Sequence, residues 1–93
     1  MIENLKQAIK TEFGLEWMDL RKKNKHEEIA LVRHAALVFM RRVMEMSTTK
    51  AARELMRNHA TAIHSEKCID RAFQGYDPKL LATYERLIKA VQE

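Results

Sequence analysis

Cysteine, proline and glycine are nearly missing from this sequence, with one, one and two among 93 residues. A single thiol, Cys68, excludes an internal disulfide and suits a reducing compartment, so a cytoplasmic protein is expected. So few turn-formers exclude a β-protein built on many tight turns. Long apolar runs are also missing, because charged residues interrupt each one well short of a membrane span. The opening Met1-Ile2-Glu3-Asn4 lacks the basic-then-apolar order of a signal peptide. There is no glycine-rich phosphate loop, and Glu16 and Asp19 form no acid pair with a nucleophile. No enzyme, cofactor or small-molecule substrate is expected.

Apolar residues make up 46% of the chain, enough for one core and one domain over residues 1–93. Net charge is +4. It is unevenly spread: residues 1–20 hold two basic side chains against four acidic ones, residues 21–71 hold twelve against six, and residues 72–93 hold three of each. An excess of base in the middle of a chain suits a phosphate-binding surface.

Apolar spacing is helical nearly throughout, and the alternation of strands is missing. Ile2, Leu5, Ile9 and Phe13 form one helical face, and Gly14 stands where a C-terminal glycine cap belongs. Leu15, Trp17, Met18 and Leu20 predict a short helix or turn. A basic loop follows from Arg21 to His26. The longest helix is expected from Glu27 to Glu45, burying Ile29, Val32, Ala36, Phe39, Met40 and Val43, with acids in its first turn. Ser47 caps a short helix through Met56, packed by Ala51, Ala52, Leu55 and Met56. Asn58 caps another from about Ala60 to Gln74, and Gly75 closes it. Asp77-Pro78 starts the last helix, whose apolar side carries Leu80, Leu81, Tyr84, Leu87, Ile88 and Val91. The expected fold is all-α, a compact bundle of about six helices.

Two short helices across a tight break, the second rich in polar and basic side chains, predict a helix-turn-helix spanning Arg57 to Arg71. At about 100° per residue, Ala60, His64, Lys67 and Arg71 share one face with Thr61 beside them. Ala62, Ile69, Ala72 and Phe73 take the other, with Ile63 at its margin. Thr61 offers a hydroxyl and a methyl to base edges, and the histidines can donate or accept. Lys67, Arg71 and Arg57 suit phosphate or guanine. Double-stranded DNA is the expected partner; a protein-interaction adaptor or inhibitor that does not read DNA is the alternative.

The stretch Arg57-Asn58-His59-Ala60-Thr61-Ala62-Ile63-His64-Ser65 resembles the signature of the C-terminal DNA-binding domain of the bacterial replication initiator DnaA, approximately Arg-Asp-His-Thr-Thr-Val-Leu-His-Ala. Val32 to Met40 looks like that family's long helix, and Phe13 to Lys23 like its first helix, short second helix and basic loop. The resemblance implies a Trp-repressor-like helix-turn-helix; 93 residues leave no room for the family's ATPase domain, so a freestanding relative or an excised fragment is expected. It places Asn58, His59, Ala60, Thr61 and His64 at the major-groove positions. It also puts the basic loop of Arg21, Lys22, Lys23 and Lys25 in the minor groove or on phosphate. Arg33 and His34 match a pair that touches the DNA backbone; Arg57, Lys67 and Arg71 complete the phosphate set. A single asymmetric DnaA-box-like site read by a monomer is implied, in replication initiation, its control, or transcription, at the nucleoid. Asn58 stands in place of an acid, Ala60 in place of a threonine, and the turn is one residue shorter.

His64 and Cys68 lie four apart on one helix and could share a metal. Two ligands do not make a structural zinc site and no third is near in sequence, so no metal is expected. Glu45, Glu54, Glu66 and Asp70 are expected as solvent-facing charges, and the six methionines as core filler.

Overall fold

The structure, a computed structural model, describes residues 2–23 and 26–92. Six helices follow one another: α1 (Ile2–Phe13), α2 (Trp17–Arg21), α3 (Glu27–Arg42), α4 (Thr48–Glu54), α5 (His59–Phe73) and α6 (Pro78–Gln92). No strand occurs among the described residues. No helix among them is long and apolar enough to cross a membrane.

Local chemistry starts and stops these helices. Gly14 takes a left-handed φ of 68° and its N–H donates to the Lys10 carbonyl at 2.9 Å, ending α1. The Asp19 carboxylate accepts from the Glu16 N–H at 2.8 Å and starts α2. The expected caps are in place: Ser47 Oγ accepts from Lys50 N, Asn58 Oδ1 from Thr61 N, and Asp77 Oδ1 from Leu80 N. Gly75, with φ 95°, closes α5, and the Tyr76 N–H returns to the Arg71 carbonyl at 3.1 Å.

Two helices end earlier than periodicity suggests. α3 stops at Arg42 rather than Glu45, because Glu45 adopts φ 56° and the Met46 N–H turns back to the Met40 carbonyl at 3.0 Å. Arg41 Nη1 fixes that turn on the Met46 carbonyl at 2.7 Å. α4 stops at Glu54 rather than Met56, since Met56 adopts φ 55° and the Arg57 N–H reaches the Ala52 carbonyl at 2.9 Å. Neither position is glycine, so the left-handed turn carries a steric cost that a sequence scan for glycine caps does not register. As a result Val43 and Met56, expected to pack, are exposed.

α3 is the central element, packed by α2, α4, α5 and α6, with α1 laid against α6. Ala35 to Met40 are all buried, so this helix is enclosed on every side rather than along one stripe. Its Leu37, Phe39 and Met40 meet Leu5 and Ile9 of α1, Trp17 and Leu20 of α2, Ile69 of α5 and Leu80 and Leu87 of α6 in one core. Each large apolar side chain so buried stabilises by about 1.5–3 kcal/mol. The amphipathic α6 thus buries Leu80, Tyr84 and Leu87 within this core. Ion pairs seam it in place, Lys79 to Glu27 at 3.1 Å and Arg86 to Glu12 at 2.9 Å.

Candidate nucleic-acid interface

α5 has a sharply two-sided environment. Ala62, Ser65, Ile69 and Ala72 are fully buried against the rest of the protein, while His59, Ala60, His64, Lys67 and Arg71 are exposed along the outer side. Asn58 is exposed at the cap and Thr61 half-buried beside it. Phe73 and Ile63, placed by helical phase on the packed side or at its margin, are exposed, at 56% and 40%. Three of the four buried residues of α5 are small, Ala62, Ser65 and Ala72, and Ile69 carries its large apolar contact with the core.

The basic loop is tied directly to the start of α5. The Arg57 guanidinium donates from Nη1 to the Arg21 carbonyl at 2.8 Å and the Leu55 carbonyl at 3.3 Å. Its Nη2 donates to the carbonyls of Lys22 at 2.8 Å and Leu20 at 3.4 Å. Arg33 approaches the same helix end, donating to the Leu20 carbonyl at 2.8 Å and the Lys22 carbonyl at 3.0 Å. Two cations therefore sit on the negative C-terminal end of α2, where unpaired carbonyls gather. Burial, and then the neighbouring Arg57, lower the pKa of Arg33. Because Arg57 directly precedes Asn58, its contacts hold the backbone of Arg21 and Lys22 beside the α5 N-terminus, with Lys23 next in the chain. Both lysines are exposed.

Other site residues predicted from sequence fall in different settings. Arg21 is half-buried and donates from Nε to the Glu54 carbonyl at 3.0 Å, next to the Trp17 indole N–H on the same carbonyl at 3.2 Å. Lys25 lies outside the described residues. Arg33 and Arg57, expected on phosphate, turn these donors inward. His34, expected on the DNA backbone, is half-buried and holds its Nδ1 2.7 Å from Ser65 Oγ. Burial first, then the neighbouring His64 and Arg33, lower the His34 pKa against an opposing pull from Asp77. The Arg71 guanidinium lies over the Tyr76 ring at 5.6 Å.

Glu66, expected to face solvent, is half-buried, while Asp70 is exposed as expected; both are ion-paired across helices. Asp70 pairs with Arg42 at 2.8 Å, and Glu66 lies 3.3 Å from Arg42 and 3.5 Å from Arg41. Burial works to lower the Arg42 pKa, but the hydrogen bonds to Asp70 and Glu66 raise it overall. These pairs cross from α3 to α5 and offset acidic charge near the outer face. Sequence inspection missed them because partners 24 and 28 residues apart meet only through helix packing.

A sequence profile of the bacterial DnaA protein helix-turn-helix matches residues 2–69. The chain belongs to that family. The DnaA match covers well over half of the chain, from α1 into the last turns of α5, and leaves α6 outside it. α4, the turn through Met56 and Arg57, and α5 as far as Ile69 lie within the residues that match DnaA. The DnaA helix-turn-helix family binds double-stranded DNA. Comparison with curated proteins and with solved structures gave no match.

Proposed function

We propose that this protein reads duplex DNA in a sequence-selective manner by placing the N-terminal half of α5 in the major groove. The observation that carries this is the outer side of α5. His59, Ala60, His64, Lys67 and Arg71 are exposed while Ala62, Ser65, Ile69 and Ala72 are buried against the rest of the protein. Asn58, His59, Thr61 and His64 face base edges, and the small Ala60 lets the helix end approach closely. The α5 N-terminus attracts phosphate through its unpaired N–H groups and its dipole. Lys22, Lys23 and Lys25 contact the adjacent minor groove or its phosphates, together with Arg21 where its guanidinium edge faces outward. Lys67 and Arg71 contact phosphate further along the groove. Arg33, His34 and Arg57 serve by positioning the loop and α5.

The protein acts as a monomer on one asymmetric, DnaA-box-like site, in replication initiation, its control, or transcription. Ala60 removes one hydroxyl and methyl from the base-facing set, which shifts discrimination by about 1–3 kcal/mol at the base it faces. Replacing His59 and Thr61 together by Ala, and measuring affinity for a selected site and for random duplex, tests the proposal. A preference for the selected site that collapses while random binding persists supports it; two unchanged affinities refute it.

A further inference from the structure

We propose that His34, His64 and Cys68 form a zinc-binding site on the flank of α5. The third ligand, out of reach in sequence, comes from α3. One ligand atom from each of the three residues lies within 4.8 Å of the others. Cys68 Sγ and His64 Nε2 are 3.5 Å apart. Zinc bonds of about 2.3 Å to sulfur and about 2.0–2.1 Å to nitrogen, at a tetrahedral angle, set those atoms about 3.5 Å apart. The pair on α5 therefore already has the spacing of one edge of a zinc tetrahedron. Small side-chain rotations close the remaining gap to His34.

The surroundings suit a metal. Ser65, fully buried, holds His34 through its Nδ1, and in the tautomer that donates from Nδ1 the Nε2 lone pair is left for a metal. The His34 and His64 rings are 5.8 Å apart and steeply inclined at 64°, so they approach one point from different directions. Two imidazoles and one thiolate are a borderline-soft donor set that favours Zn2+ over Mg2+ or Ca2+. Three protein ligands leave the fourth position to water. Binding replaces the Cys68 thiol proton, which is released to solvent. On the DNA reading above, zinc also withdraws His64 from the groove, because one imidazole serves both partners.

The test uses the full chain without DNA, so its outcome does not depend on the DNA proposal. Zn2+ is titrated calorimetrically into the reduced protein, and Co2+ serves as a spectroscopic probe for a thiolate charge-transfer band. One Zn2+ per chain is expected, with a Co2+ thiolate band and slowed alkylation of Cys68. Loss of an outer hydrogen bond alone weakens metal sites by roughly 10–100-fold, so Cys68→Ser and His34→Gln should weaken binding by about tenfold or more. His26→Gln should bind as the wild type does. Circular dichroism checks that each variant folds, and should His34→Gln fail to fold, Cys68→Ser decides. Absence of stoichiometric zinc binding, or equal binding by wild type and Cys68→Ser, overturns the proposal.

Discussion

Arg57 is the residue whose replacement says most about how this surface is built. Arg57→Ala removes four donor contacts, to the carbonyls of Leu20, Arg21, Lys22 and Leu55. Arg33 already reaches those of Leu20 and Lys22, so the unshared loss falls on Arg21, at 2.8 Å, and Leu55, at 3.3 Å. A hydrogen bond from a charged donor contributes about 1.5–3 kcal/mol, and the longer contact adds little. Relief of repulsion between Arg57 and Arg33 works against the loss, and solvent screening keeps that term small. The net cost is about 2–3 kcal/mol, which lowers the melting temperature of a domain this size by roughly 10–20 °C. Thermal unfolding followed by circular dichroism measures it. Arg57→Lys keeps the charge but cannot fork between carbonyls, so it recovers only part of the loss. A phosphate contact alone would leave melting unchanged and reduce only the salt dependence of DNA binding. A melting shift under about 4 °C for Arg57→Ala, less than about 1 kcal/mol, refutes the clamp.

The remaining predictions concern the turn and the loop. Met56 holds φ 55° and is 69% exposed, so Met56→Gly relieves about 1–2 kcal/mol of left-handed strain against about 0.4–1 kcal/mol of added chain entropy. A rise of a few degrees in melting temperature is expected, and a fall contradicts the strain argument. Lys22→Gln combined with Lys23→Gln leaves melting unchanged but flattens the slope of log affinity on log salt by about 1.8, across all duplex sequences. An unchanged slope removes the loop from the DNA contact.

Much of this fold was legible in the chain because its caps are chemically explicit. Ser47, Asn58 and Asp77 each accept the N–H their position predicts, and Gly14 and Gly75 take the left-handed angles of helix ends. What escaped sequence inspection depends on tertiary placement. Glu45 and Met56 are held at positive φ by the carbonyls their neighbours must satisfy, so α3 and α4 end without the usual glycine signal. Val43 lost its buried side when α3 ended early, and Phe73 turned out at the end of α5, where its ring meets Tyr84 edge-on.

The candidate site divides in the same way. The outer side of α5 follows from helical phase, because exposure there is a property of one helix. The inward roles of Arg33 and Arg57 do not, since they answer the unpaired carbonyls of a helix elsewhere in the chain. The pairing of Glu66 and Asp70 with Arg41 and Arg42, and the meeting of His34 with His64 and Cys68, likewise exist only once α3 lies against α5.

Selection of bound sequences from a random duplex pool tests the central claim most directly. The wild-type protein is expected to enrich a single asymmetric motif, with the enrichment lost when His59 and Thr61 are both replaced by Ala. A pool that emerges unenriched, although the protein binds duplex at low salt, contradicts sequence reading by α5.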